Sequence, residues 1–140
     1  MSGKDRLQGK RILIVDDEPD VLETLKAILS NCVVSKAGDF NKAKDLLEKE
    51  DFDAVILDIM GVDGYGLLEI ANTRRTPAIM LTAHALSLDN TVKSFRKGAA
   101  SYVPKDEMQR ISMYLNDIFE AKDKGKHMAW RWLDRLTHYY

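Results

Sequence analysis

The chain has 140 residues, 45% of them hydrophobic and 31% charged, with a formal net charge of −1. That balance suits one soluble globular domain with its own core, and it excludes a general attraction to nucleic acid or to a membrane surface. No apolar run approaches the roughly 18 residues of a membrane span, and the single cysteine, Cys32, has no partner for an internal disulfide, which suits a reducing, cytoplasmic compartment.

Residues 1–9 are polar, lack the apolar centre of a signal peptide, and read as a flexible lead-in. Arg11 to Val15 is an apolar run of buried-strand length that ends in Asp16-Asp17. Pro19 then fits the first turn of a helix, whose face is Val21, Leu22, Leu25, Ile28 and Leu29. Cys32-Val33-Val34 reads as a short, weak strand broken by Gly38. Asp39 is placed to cap a second helix with Phe40, Ala43, Leu46 and Leu47 inward. Phe52 to Asp58 is the strongest stretch: four consecutive apolar residues, Ala54 to Leu57, run straight into a carboxylate. Its length and turn boundaries predict a strand buried on both faces. Gly64 to Arg75 predicts a helix with Leu67, Leu68 and Ala71 on one face. Pro77 opens the run Ala78 to Leu81, which ends in Thr82. A fourth helix, from about Ser87 to Lys97, carries Leu88, Val92 and Phe95 and stops at Gly98. Ala100 to Val103 is the fifth strand, ending at Pro104-Lys105, and a last helical pattern begins near Asp106.

Five strands alternating with five helices argue an α/β fold: a doubly wound, flavodoxin-like parallel sheet covered on both faces. In the order 2-1-3-4-5, the second strand is an edge. The other four strands then deliver Asp16, Asp17, Asp58, Thr82 and Lys105 to one crevice at their carboxyl ends, where such sheets place ligands. Two carboxylates about 4 Å apart repel by roughly 4 kcal/mol at an effective dielectric of 20. A group of three therefore needs a cation or must take up protons. Hard oxygen ligands suit Mg²⁺, with Mn²⁺ as an alternative ion. A divalent ion, an ammonium and a hydroxyl around Asp58 are what an in-line phosphoryl transfer requires, with an aspartyl phosphate as product.

Four segments carry a resemblance: Ile14-Val15-Asp16-Asp17-Glu18, Ile56-Leu57-Asp58-Ile59-Met60, Met80-Leu81-Thr82-Ala83 and Tyr102-Val103-Pro104-Lys105. Together they resemble the receiver domain of bacterial two-component response regulators over about residues 10–122. The resemblance implies phosphoryl transfer from a histidine of a sensor kinase or phosphotransfer protein to Asp58. It implies Mg²⁺ on Asp17, Asp58 and the backbone carbonyl of Met60, with Asp16 acting through bound water. Lys105 and Thr82 would contact the phosphoryl oxygens. Thr82 and Tyr102 would form the switch that remodels the fourth helix, fifth strand and fifth helix, the surface for a downstream protein or a second copy. Ala83 is small, as that family needs beside the phosphate, and His84 is an accessory candidate for orienting water. A bulky Met60 is expected to shield the acyl phosphate.

Two features depart from that pattern. Asp63-Gly64 stands five and six residues after Asp58, so the loop is two residues shorter than usual, with Gly61 as a turn candidate. Asp106 follows Lys105 where the family often has a proline, so no cis bond is expected there. Residues 123–140 hold Trp130, Trp132, Tyr139 and Tyr140, which suggests a helical extension for dimerisation or docking; a helix folded back over its own domain and a disordered end stay open. It is too short for a DNA-binding output domain. Other classes fit less well. A haloacid-dehalogenase-type phosphatase needs a second Asp two residues after the first, where this chain has Met60 or Glu18. No Gly-rich nucleotide signature follows the first strand. The alternative that stays open is a phosphorylation-independent interaction module on the same scaffold.

Overall fold

The computed structural model describes residues 6–83 and 88–123. The elements alternate in chain order: β1 (Arg11–Val15), α1 (Pro19–Ile28), β2 (Val33–Ala37), α2 (Phe40–Lys49), β3 (Ala54–Asp58), α3 (Gly64–Thr73), β4 (Ala78–Thr82), α4 (Leu88–Arg96) and β5 (Ser101–Pro104). A 3₁₀ turn, Lys105–Arg110, leads into α5, residues 111–123. The five strands are parallel and ordered β2-β1-β3-β4-β5. This is the flavodoxin-like arrangement expected from the strand ends. Among the described residues, no helix is long and apolar enough to cross a membrane.

Alternation along each strand sorts the core into two layers. Leu13, Val15, Val55, Leu57, Ala78 and Met80 face α2 and α3, where Ala43, Leu47, Leu67, Leu68 and Ala71 cover them. Ile12, Ile14, Ala54, Ile56, Ile79, Leu81 and Val103 face α1 and α5, under Val21, Leu25, Leu29, Ile111, Leu115 and Phe119. Each buried Val, Leu, Ile, Met or Phe side chain contributes about 1.5–3 kcal/mol relative to exposure. Every residue of β3 and β4 is buried, so the strand that ends in Asp58 is held from both faces and both edges.

The structure departs from the sequence expectations in four places. β2 runs to Ala37 and is five residues long; Ser35 and Lys36 interrupt its apolar run because the strand lies at the sheet edge, where Lys36 pairs with Glu23 at 2.6 Å. Leu7, expected in a flexible lead-in, is 2% exposed and packs into the α1–α5 layer; the Gly9 amide donates to the Asn31 carbonyl at 2.9 Å. The last helix starts at residue 111, after the 3₁₀ turn. Val92 and Phe95 of α4 are 40% and 52% exposed, whereas Ser94 is the buried one among that helix's described side chains. Residues 124–140, which hold most of the expected C-terminal extension, lie outside the described residues.

The loop between Asp58 and α3 closes tightly. Ile59 and Val62 are buried within it. Gly64 donates its N–H to the Ile59 carbonyl at 3.1 Å, and its Cα lies so close to the chain that a Cβ would meet the Asp58 carbonyl oxygen at 2.3 Å. Asp63, at φ 52°, caps α3 by accepting from the Gly66 N–H at 3.2 Å. Gly64→Ala therefore forces the backbone of the loop apart despite alanine's better helix propensity. The expected loss of stability is roughly 1–3 kcal/mol, the scale of a local backbone strain, measured as a lower urea midpoint at unchanged slope.

Candidate functional site

Four strand ends meet at the carboxyl edge of the sheet. The pairing of Val15 with Leu57 places Asp16 level with Asp58, and the pairing of Thr82 with Pro104 places Lys105 just beyond them. The Asp16 amide donates to the Ala37 carbonyl at 3.1 Å. One Asp16 oxygen accepts from the Glu18 N–H at 2.9 Å, a turn that holds the carboxylate over the sheet. The Lys105 ammonium lies 2.7 Å from Glu18 Oε1, 2.9 Å from Asp16 Oδ2 and 3.5 Å from Asp58 Oδ1. Asp58 also accepts from the Gly61 N–H at 3.2 Å.

Asp16 and Asp58 are buried, at 0% and 4% exposure. Burial pushes both carboxyls above the ordinary aspartate range, and at Asp58 the charge of Asp16 adds to it. Lys105 lowers both only in part. Burial disfavours the Lys105 ammonium as well, but hydrogen bonds to Glu18 and Asp16 and the charge of Asp58 outweigh it, and the group is held charged. Asp16 Oδ2 has the Lys105 ammonium at 2.9 Å as its partner. Two buried carboxyls that resist ionisation, with one ammonium shared between them, favour a further cation. Asp16, Asp17 and Glu18 each place one oxygen within 4.8 Å of the others, a donor set of the hard oxygen type that Mg²⁺ takes.

Most of the expected residues converge here, though not in one shell. Asp58 stands outside that acidic trio and is joined to it through Lys105. Gly61 lies in the turn after Asp58, with the exposed Asp17 carboxylate against it, where a Cβ would meet Oδ1 at 2.3 Å and push that side chain aside. Thr82 is 2% exposed at the end of β4. Ala83 is exposed, and Met60 is 74% exposed beside the loop. Tyr102 packs half-buried against the α2–α3 layer. Its hydroxyl is buried without a hydrogen-bond partner among the described residues. His84 lies outside the described residues. No cis peptide bond occurs among them.

Residues 12–116 match the response regulator receiver domain family. The chain belongs to that family. Two curated relatives are the two-component response regulator ARR18 of Arabidopsis thaliana and the response regulator protein PilR of Pseudomonas aeruginosa. They are 38% identical over 113 residues and 34% identical over 105 residues. These matches span 74% and 71% of this chain but only 18% and 23% of those longer proteins. Among solved structures, a CheY-like receiver domain protein from Methanospirillum hungatei superposes with a TM-score of 0.71. It is 34% identical and covers 84% of this chain and 96% of its own.

Within this receiver, the sequence reading passed over Glu18 as a partner of Lys105. The signal was present: an acid directly after a strand-end pair of aspartates turns back over the same edge. Tyr65 was also passed over, because a lone aromatic in a first helical turn carries no signal of its polar contacts.

The raised carboxyls give a sign for the pH dependence. A carboxyl whose folded pKa exceeds its unfolded value binds more protons when folded, so stability falls as pH rises through that interval. At neutral pH and with a chelator present, the ionised Asp58 works against folding. Asp58→Asn is expected to raise unfolding stability at pH 7 by on the order of 1 kcal/mol, the usual scale of a single-site change. The gap narrows as pH falls toward the ordinary aspartate value of 3.8. Urea titrations at a series of pH values measure it, and a variant less stable than the parent at pH 7 contradicts it.

Proposed function

We propose that this chain is a phospho-accepting receiver, in which Asp58 takes a phosphoryl group from a phosphohistidine of a partner kinase or phosphotransfer protein. The observation that carries the reading is the charged Lys105 among Asp16, Glu18 and Asp58 at the carboxyl edge of a two-sided sheet. In the transfer, an Asp58 oxygen forms the new P–O bond. The histidine P–N bond breaks, and the departing imidazole nitrogen takes a proton from solvent. Lys105 swings from Glu18 to the phosphoryl oxygens and offsets their charge, and the Thr82 hydroxyl donates to one of them. Asp16, Asp17, Asp58 and the backbone carbonyl of Met60 would hold Mg²⁺ or Mn²⁺, with Glu18 as an added oxygen donor. The bound ion supplies charge compensation to the non-bridging oxygens.

The switch follows from space and charge. Phosphorylation adds negative charge and acceptor oxygens at Asp58. Thr82 turns toward them, and Tyr102 repacks beside it. Its unpartnered hydroxyl supports this assignment, since a buried phenol without a partner is disfavoured by about 1–3 kcal/mol. The change reaches the surface formed by α4, β5 and α5, where a downstream protein or a second copy would bind. Couplings of this kind amount to about 1–3 kcal/mol, so partial activity without phosphate is part of the proposal. The receiver unit spans residues 10–122 and works in the cytoplasm without contacting DNA itself. The docking or dimerisation role expected of residues 123–140 falls on a segment that, past residue 123, lies outside the described residues.

Incubation with acetyl phosphate and Mg²⁺ tests the assignment by intact mass. The chain is expected to gain one phosphoryl group, Asp58→Asn none, and a chelator is expected to abolish uptake by the parent. No gain in the parent protein would favour a phosphorylation-independent interaction module instead. The phosphorylated protein is expected to hold its phosphate for longer than minutes after donor removal, with Met60 shielding the acyl phosphate. Loss at the same rate in Met60→Ala refutes that shielding.

A further inference from the structure

The fourth helix is amphipathic the wrong way round. Its apolar Val92 and Phe95 are exposed, at 40% and 52%. Among its described side chains, those turned inward are polar: Ser94 is fully buried, and Asn90 and Thr91 are half-buried. A surface helix ordinarily buries its apolar stripe, so something other than apolar burial fixes the roll of α4 about its axis.

The contacts with α3 supply it. Tyr65 sits in the first turn of α3, directly after Gly64, with its ring packed on the α2–α3 layer of the core. Its hydroxyl lies 3.2 Å from the Asn90 carbonyl oxygen, 3.2 Å from Asn90 Oδ1 and 3.3 Å from Ser94 Oγ. The Lys93 ammonium lies 4.4 Å from the centre of the same ring. One aromatic side chain thus touches three residues across a full turn of α4. At the far end, Asn72 donates to the Lys97 carbonyl at 2.6 Å.

We propose that Tyr65 is a latch: its hydroxyl fixes which face α4 turns toward the sheet, and α4 opens as a local unit when that hydroxyl is lost. Hydrogen bonds at a seam near water exchange with solvent at little net cost. An element held mainly by them opens below the global unfolding free energy. Released, α4 has an apolar stripe available to replace its polar one against the core, so two packings of one helix compete. The latch also ties the loop after Asp58 to α4 by a route separate from Thr82 and Tyr102, because Tyr65 follows the glycine that closes that loop. The inference rests on the packing of α3 and α4 alone, and it stands or falls independently of whether Asp58 accepts phosphate.

Amide hydrogen exchange on the full chain tests it, with no ligand added. Tyr65→Phe keeps the ring and its packing and removes only the hydroxyl. Exchange of residues 88–96 is expected to quicken by about 3- to 10-fold, the loss of one net hydrogen bond, while β1 and β3 exchange as in the parent. Ser94→Ala added to Tyr65→Phe is expected to quicken it no further, because the two groups act through one contact. Unchanged exchange in α4, or an equal acceleration in every element, overturns the latch. Full additivity of the two substitutions overturns it as well.

Discussion

The Lys105 ammonium stands where three acidic side chains converge, and that interaction organises the molecule. Without a cation there, Asp16 and Asp58 are two buried like charges, each already resisting ionisation. The sheet forces them together: parallel pairing in register puts the last residues of β1 and β3 side by side, and neither strand can retreat with both faces packed. Folding energy from the two apolar layers thus maintains an electrostatic arrangement that is unfavourable by itself. A protein that spends stability in this way keeps a site eager for positive charge.

The two layers play unequal parts. The α1–α5 layer is closed by apolar side chains throughout, and Leu7 seals it at the start of the described chain. The opposite layer is apolar under α2 and α3 but polar under α4. One face of the sheet therefore behaves as foundation. The other includes an element attached by hydrogen bonds, next to the strand ends that carry Thr82 and Tyr102. Change at the site has a compliant neighbour on only one side.

Much of this was legible in the residues, for reasons of period and length. Short apolar runs ending in Asp16, Asp58, Thr82 and Lys105 can hardly be anything but buried parallel strands, and their ends share one edge once the order is granted. β2 was under-read because an edge strand needs apolar residues on fewer of its positions, so Ser35 and Lys36 looked like a break. The stripe of Val92 and Phe95 was visible as a helical period, but period does not say which way a stripe faces; that depends on Tyr65, Asn90 and Ser94, whose polar contacts leave no pattern. The place of Glu18 after two aspartates puts it at the same edge, but its pairing shows only once Lys105 is seen to reach it at 2.7 Å. The 3₁₀ turn after Lys105 was read as helix because both use similar residues.

The compact loop after Asp58 has a mechanical consequence. Ile59 and Val62 are anchored inside the core, one glycine lies against Asp17 and the other is pressed against the chain itself. Such a segment behaves as a stiff strut, with no slack in which to absorb a new group. Load introduced at its base is carried through to whatever it braces, and the parts that yield are those with play in their fastening.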